Sequence, residues 1–179
     1  MKRYITLLRG INVAGKNKLV MADLKNAVSE LSFSTVTTYL NSGNLIFSSD
    51  ITDPTEISAQ IKAMISRNFH LDIPVYTLLQ ADLKTILAHA PVWWGEPDKT
   101  IYDNLIFVLP PLSSTDIHDE IGLPQPDYEK VADYENAIFW SFSRKDYQKT
   151  NWWSKTANSA VKDGITIRTA NTVRKLAKA

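Results

Sequence analysis

Val36-Thr-Thr-Tyr-Leu-Asn-Ser-Gly-Asn-Leu-Ile-Phe47 is the stretch that decides the fold. Two runs of strand formers, 36–40 and 45–47, flank Asn41-Ser-Gly-Asn44, so the segment reads as a β-hairpin turning at Ser42-Gly43. A helix lies on each side of it. Upstream, residues 21–31 place Leu24, Ala27, Val28 and Leu31 at helical spacing. Downstream, Asp53-Pro54 sets up a helix start with Thr55 as the expected cap, and Ile57, Ile61, Met64 and Ile65 form the apolar stripe. Residues 4–8 and 74–79 complete the pattern as strands. A hairpin between two helices gives the order strand, helix, strand, strand, helix, strand. That is the split, ferredoxin-like motif, with an antiparallel sheet ordered 4-1-3-2.

The same order returns further along. Residues 81–90 read as a separate helix, and 91–99 as a loop holding Trp93, Trp94, Gly95 and Pro97. A strand is expected at 104–109, a short helix at 114–121, and a second hairpin at 128–134 and 137–142. Helical sequence runs over 145–161, broken near the tryptophans, with Gly164 as its C-cap glycine. A strand at 165–167 and a final helix at 171–178 close the chain. The predicted class is α+β: two ferredoxin-like βαββαβ subdomains joined by a helix, with a C-terminal helix. The expected boundaries are 1–79, 80–100 for the connecting helix and Trp-containing loop, and 101–179. The competing architecture is one mixed sheet with helices on one face. No residue-level repeat accompanies the repeated order.

Composition narrows the function. The 179 residues are 44% hydrophobic and 22% charged with a net charge of +1, which suits a packed core and argues against a general duplex-DNA binder. The absence of cysteine removes disulfides, thiolate metal sites and cysteine nucleophiles. Met1-Lys2-Arg3 imitates the start of a signal peptide, but the apolar run behind it ends at Arg9. No stretch approaches the roughly 20 apolar residues that span a bilayer, so the expected location is cytoplasmic, without a membrane partner.

Topology locates a candidate site. The first two strands of the motif run in the same direction, so the loop after the first and the turn after the second share one end of the sheet. The exit of the second helix, residues 70–72, reaches the same end. Arg9, Asn12, Lys16, Asn17, Lys18, Asn41, Ser42 and Asn44 then form a polar, net-positive rim. Gly10 and Gly15 allow positive φ and close backbone approach to a ligand. Arg9 suits bidentate capture of a phosphate or carboxylate, and Lys16 adds a point charge. These residues point to a small anionic ligand bearing phosphate, nucleotide or carboxylate groups. Equally, the glycines turn the chain, the asparagines cap it and the lysines are solvated.

Gly10-Ile-Asn-Val-Ala-Gly15-Lys16-Asn17 approximates a phosphate-binding P-loop. It lacks the hydroxyl residue that holds Mg²⁺, and its helix begins too late, near Met21, to cradle phosphates. The three histidines, His70, His89 and His118, lack metal-ligand spacing, so no metal site is expected. No serine stands in a nucleophile elbow. No cofactor, reaction or oligomeric state is indicated.

Asp127, Glu129, Asp133 and Glu135 share mostly even spacing and read as one solvated strand face. Residues 106–110, with Phe139 and Phe142, partly match RNA-recognition strands, which makes a single-stranded RNA-binding module an alternative, though nucleic acid is the less favoured partner. Trp93, Trp94, Trp152 and Trp153 form two adjacent pairs with one member of each expected to be partly exposed. They suit packing of the two halves or a protein-interaction module. Arg174, Lys175 and Lys178 fit the C-terminal dipole of the last helix.

Leu7-Leu-Arg-Gly-Ile-Asn-Val13, Gly15-Lys-Asn-Lys18, Met21, Leu24, Tyr39-Leu-Asn-Ser-Gly-Asn44 and Phe47 resemble an uncharacterised bacterial domain-of-unknown-function family, DUF1697. Its C-terminal block, T-x-R-N-W-x-T-V-x-K-L, is matched at Thr166, Arg168, Thr172, Val173, Lys175 and Leu176, with Thr169 and Ala170 replacing Asn-Trp. Ser154-Lys155 resembles the Ser-Lys that precedes this block. Lys155, Arg168 and Asn171 are therefore secondary site candidates. The resemblance implies the two-subdomain ferredoxin-like architecture and brings no established activity, substrate or cofactor.

Overall fold

A computed structural model describes residues 1–179. The chain divides into two compact units, Met1–Lys84 with Leu176–Ala179, and Thr85–Lys175. Each holds a four-stranded antiparallel sheet.

The first unit runs β1 (Lys2–Leu8), α1 (Met21–Ser29), β2 (Ser34–Tyr39), β3 (Asn44–Ser49), α2 (Pro54–Phe69) and β4 (Val75–Leu79), followed by the start of α3 (Gln80–Ala88). The sheet order is β2-β3-β1-β4, as the split motif requires. Register sets Tyr4 opposite Phe47 and Leu79, and Leu8 opposite Val75. Period-two alternation then turns Tyr4, Leu8, Leu45 and Phe47 to one face. There they pack with Leu24 and Val28 of α1 and Ile57, Ile61, Met64 and Ile65 of α2. Each such fully buried side chain contributes roughly 1.5–3 kcal/mol. Ile5, Leu7, Ile46 and Leu78, on the alternate positions, are buried too, which is why the strands read as unbroken apolar runs. The cap of α2 is Asp53, not Thr55: its carboxylate accepts from Thr55 N, the second helical position, at 2.9 Å, and Pro54 stands at the first, where no N–H is needed.

The second unit holds β5 (Ile101–Val108), α4 (Ser114–Ile121), β6 (Glu129–Tyr134), β7 (Ala137–Ser143), α5 (Trp152–Asn158), β8 (Ile165–Thr169) and most of α6 (Ala170–Lys178). Its sheet order, β6-β7-β5-β8, repeats that of the first unit. Ile106, Val108, Ile138, Trp140, Phe142 and Ile165 pack with Ile117, Ile121 and Trp152. Ser113 and Asp116 close a reciprocal capping box at the start of α4. The second helical segment is broken, as expected, into a 3-10 stretch at Arg144–Lys149, α5, and a 3-10 turn at Lys162–Gly164.

Two expectations for this unit are corrected. Gly164 is not a left-handed cap; a Cβ there would meet the Leu112 side chain, which would have to shift to admit it. Of the four acidic residues expected on a solvated face, Asp127, Asp133 and Glu135 are exposed and Glu129 is not. Glu129 is buried and accepts from Gln125 N (2.8 Å), Asn151 N (2.6 Å), Trp140 Nε1 (3.0 Å) and Trp152 N (3.3 Å). Asp133 pairs with His118 at 2.8 Å. Glu129, Val131 and Asp133 alternate onto the helix-covered face of the sheet, because they sit opposite Phe142, Trp140 and Ile138.

Candidate functional site

Three segments of the first unit meet as the strand directions require. Leu8 N donates to Gly43 O at 2.8 Å, and Arg9 N to Pro74 O at 3.1 Å, so the loop after β1, the turn after β2 and the approach to β4 share one end of the sheet. The turn needs glycine at position 43. Its φ is +84°, and a Cβ would stand 2.7 Å from Leu8 Cβ and 2.9 Å from Ile11 Cδ1.

The loop is a small hairpin. Lys16 N donates to Val13 O (2.9 Å) and Asn12 N to Asn17 O (3.2 Å). Asn12, Ala14, Gly15 and Asn17 all have positive φ, between 48° and 76°; Asn and Gly tolerate that region, whereas Ala14 is strained there. Asn12 ties the loop down. Its Oδ1 accepts from Leu19 N (2.8 Å), while Nδ2 donates to Leu19 O and to Asn41 O, both at 2.9 Å. Asn17 Nδ2 donates to Gly10 O at 2.9 Å. Buried Asn44 donates to Tyr39 O (2.7 Å) and Ser42 Oγ (3.0 Å). The amide side chains at 12, 17 and 44 therefore hold the framework. Lys16, Lys18 and Asn41 lie exposed on it, with Arg9 half-buried at its base. No acidic residue occurs in 9–20 or 39–44, and Asp72 is paired with Lys62 at 3.2 Å.

The secondary candidates lie on three elements, α5, β8 and α6. Lys155 Nζ donates to Ile121 O at 3.0 Å. Arg168 is buried on β8, with Nη1 donating to Thr166 Oγ1 and Ile167 O at 2.9 Å. Asn171 is exposed in the first turn of α6.

The aromatics behind the RNA alternative are buried. Phe107, Phe139 and Phe142 retain 1–3% of their surface. Phe139 and Phe142 occupy opposite faces of β7, being three residues apart. Each tryptophan pair does split. Trp94 and Trp152 are buried, Trp93 is half-buried and Trp153 is 41% exposed. The cause is not strand alternation: Trp152 and Trp153 open α5, while Trp93 and Trp94 lie in a turn. No group of three or more His, Asp or Glu side chains is placed to hold a metal ion, and no helix is long and apolar enough to cross a membrane.

One concavity escaped sequence reasoning. The second unit contains a cavity of about 790 Å³ bordered by Lys99, Asp103, Arg144, Asn171 and Arg174. Arg174 does not merely complement a helix dipole. Its Nη1 donates to Gly95 O at 2.8 Å and its guanidinium lies 5.5 Å from the centre of the Trp94 ring. The available signal was Asp103, a lone acid inside the apolar run of β5.

A family model described as a protein of unknown function, DUF1697, matches residues 1–139. Among solved structures, the conserved bacterial protein SP0830 from Streptococcus pneumoniae is similar over 99% of this chain and 97% of that one, at 28% identity and a TM-score of 0.85. No curated protein matches the chain.

Proposed function

The chain belongs to the DUF1697 family of proteins of unknown function, and from that premise we propose that it binds a small anionic molecule, carrying a phosphate or carboxylate, at the end of the first unit where the loop after β1 meets the turn after β2. One observation carries the reading: a hydrogen-bonded loop presents Lys16 and Lys18 beside Asn41, in segments that contain no acid. Asn12 fixes this loop to the turn through Asn41 O, so little ordering is left for a ligand to impose. Two exposed ammonium groups act as point charges rather than a planar fork, which favours anions with spread charge over a single carboxylate. The glycines and the amide side chains at 12, 17 and 44 serve the scaffold.

Titration calorimetry at low ionic strength with inorganic phosphate, a nucleoside monophosphate and citrate tests the reading. At least one should bind, and Lys16→Ala/Lys18→Ala should weaken it by about tenfold or more, the loss of roughly 0.7–1 kcal/mol per exposed charge. Affinity should fall as salt shortens the screening length from about 10 Å at 0.1 M. No binding by any probe, or the same affinity in the double variant, refutes the assignment.

A further inference from the structure

The cavity of the second unit has an unusual floor. Asp103 sits on β5 and is 9% exposed, yet its carboxylate receives one neutral donor, the Ser141 hydroxyl, and no cation stands within ion-pair distance. A buried carboxylate is costly unless it is paired and hydrogen-bonded. Glu129, equally buried in the same unit, accepts from four N–H groups. Asp103 thus departs from the way this unit satisfies its other buried acid, and it does so facing open space.

The other side of that space is cationic. Arg144 is exposed and makes no ion pair; its guanidinium lies over the Tyr102 ring at 4.5 Å, which limits the side chain's freedom. Arg174 is held by Gly95 O and the Trp94 ring. Gly95 has φ +77°, and a Cβ at that position would collide with the Arg174 guanidinium, so the glycine makes room for the arginine. The first turn of α6, with exposed Asn171, borders the same cavity and adds the partial positive charge of a helix N-terminus.

We infer that this cavity is a binding site for a small zwitterion, an amine-bearing carboxylate or phosphate, whose ammonium group is received by Asp103 and whose anionic group is received by Arg144 and Arg174. The ligand supplies the counter-charge that Asp103 lacks, and the two arginines supply planar donors suited to a carboxylate or phosphate. A volume of about 790 Å³ falls within the usual range for small-molecule sites, about 300–1,000 Å³. The site lies wholly in the second unit and does not depend on Lys16 or Lys18.

The test is titration of the isotope-labelled full chain, followed by amide NMR shifts, with five probes. β-Alanine and 2-aminoethyl phosphate are zwitterions, propionate and inorganic phosphate carry only the anion, and n-propylamine carries only the cation. At least one zwitterion should bind ten times more tightly than either of its halves, with shifts centred on residues 95–103, 144 and 169–174. Asp103→Asn, which retains an acceptor for Ser141, should abolish that advantage while leaving the spectrum folded. Arg144→Gln should weaken the zwitterion and the anions alike, and Lys16→Ala/Lys18→Ala should change nothing here. Neither zwitterion binding more tightly than its halves, shifts centred elsewhere, no binding at millimolar concentration, or an undiminished zwitterion preference in Asp103→Asn overturns the inference.

Discussion

Removing the Glu129 carboxylate is expected to cost the second unit a large part of its stability. The carboxylate accepts from two backbone amides at 2.6 and 2.8 Å, from the Trp140 indole at 3.0 Å and from Trp152 N at 3.3 Å, in surroundings that leave it 4% exposed. It thereby ties β6, β7, the approach to β6 and the start of α5 together. In Glu129→Ala those donors lose their acceptor inside a packed region. A hydrogen bond to a charged group is worth about 1.5–3 kcal/mol, and a buried donor left alone costs about 1–3 kcal/mol. Water entering the vacated space recovers part of this, so the expected loss is about 3–5 kcal/mol, against a typical total of about 5–15 kcal/mol. Glu129→Gln keeps the volume but turns an amide N–H₂ toward other donors, and should lose about 2–3 kcal/mol. Urea unfolding followed by tryptophan fluorescence reads both values, because Trp140 and Trp152 flank the site with ring centres 6.5 Å apart. A loss below about 1 kcal/mol for Glu129→Ala, or a Gln variant less stable than the Ala variant, would refute the reasoning.

Gly43→Ala should destabilise the first unit by roughly 2–5 kcal/mol, since the new methyl meets Leu8 Cβ at 2.7 Å and the backbone φ is +84°; thermal unfolding measures it, and a neutral result would show that the turn relaxes. Asn12→Ala removes three hydrogen bonds, to Leu19 N, Leu19 O and Asn41 O, so amide exchange over residues 13–18 should accelerate by at least tenfold while the core amides of β1 stay protected. The Tyr4 phenol is pushed above its ordinary value near 10 by burial first, then by the negative charges of Asp82 and Asp53. Its contribution to stability is therefore complete below about pH 10 and is lost as pH rises through the folded-state value. Tyr4→Phe should lower stability at neutral pH by about 1 kcal/mol, through loss of the 2.7 Å bond to Ile51 O, and flatten the alkaline limb of the stability profile; an alkaline limb identical to that of the unsubstituted chain would overturn this. Asp116 is held below the usual carboxylate range by hydrogen bonds from Ser113, so the start of α4 should loosen as pH falls through that lowered value, read by amide exchange at residues 114–117.

Local pattern carried the fold. The hairpin at 36–47 between two amphipathic helices, repeated in the second half, specified element order, and order with short connections left one antiparallel arrangement per unit. The same reasoning brought the loop after β1 to the turn after β2, because strand direction follows from connectivity alone. It also placed the start of α1 at Met21, too late for a P-loop.

Other features needed the third dimension. Period-two spacing put Glu129 and Asp133 on one face but could not say which face the helices cover; register opposite Phe142 and Ile138 decided that, and made Glu129 a buried hydrogen-bond centre while Asp133 stays exposed beside His118. The asparagines of the loop were legible as polar turn residues, yet only their positive φ values and closed contacts made them framework and left Lys16 and Lys18 outermost. Likewise Asp103, Arg144 and Arg174 are separated by tens of residues and no motif joins them. They border one cavity because β5, the segment after β7 and α6 pass side by side. Sequence determines which faces are apolar and how strands connect, since those depend on neighbours along the chain. Which distant charges share a cavity depends on packing across the sheet, and that is decided only when the chain has folded.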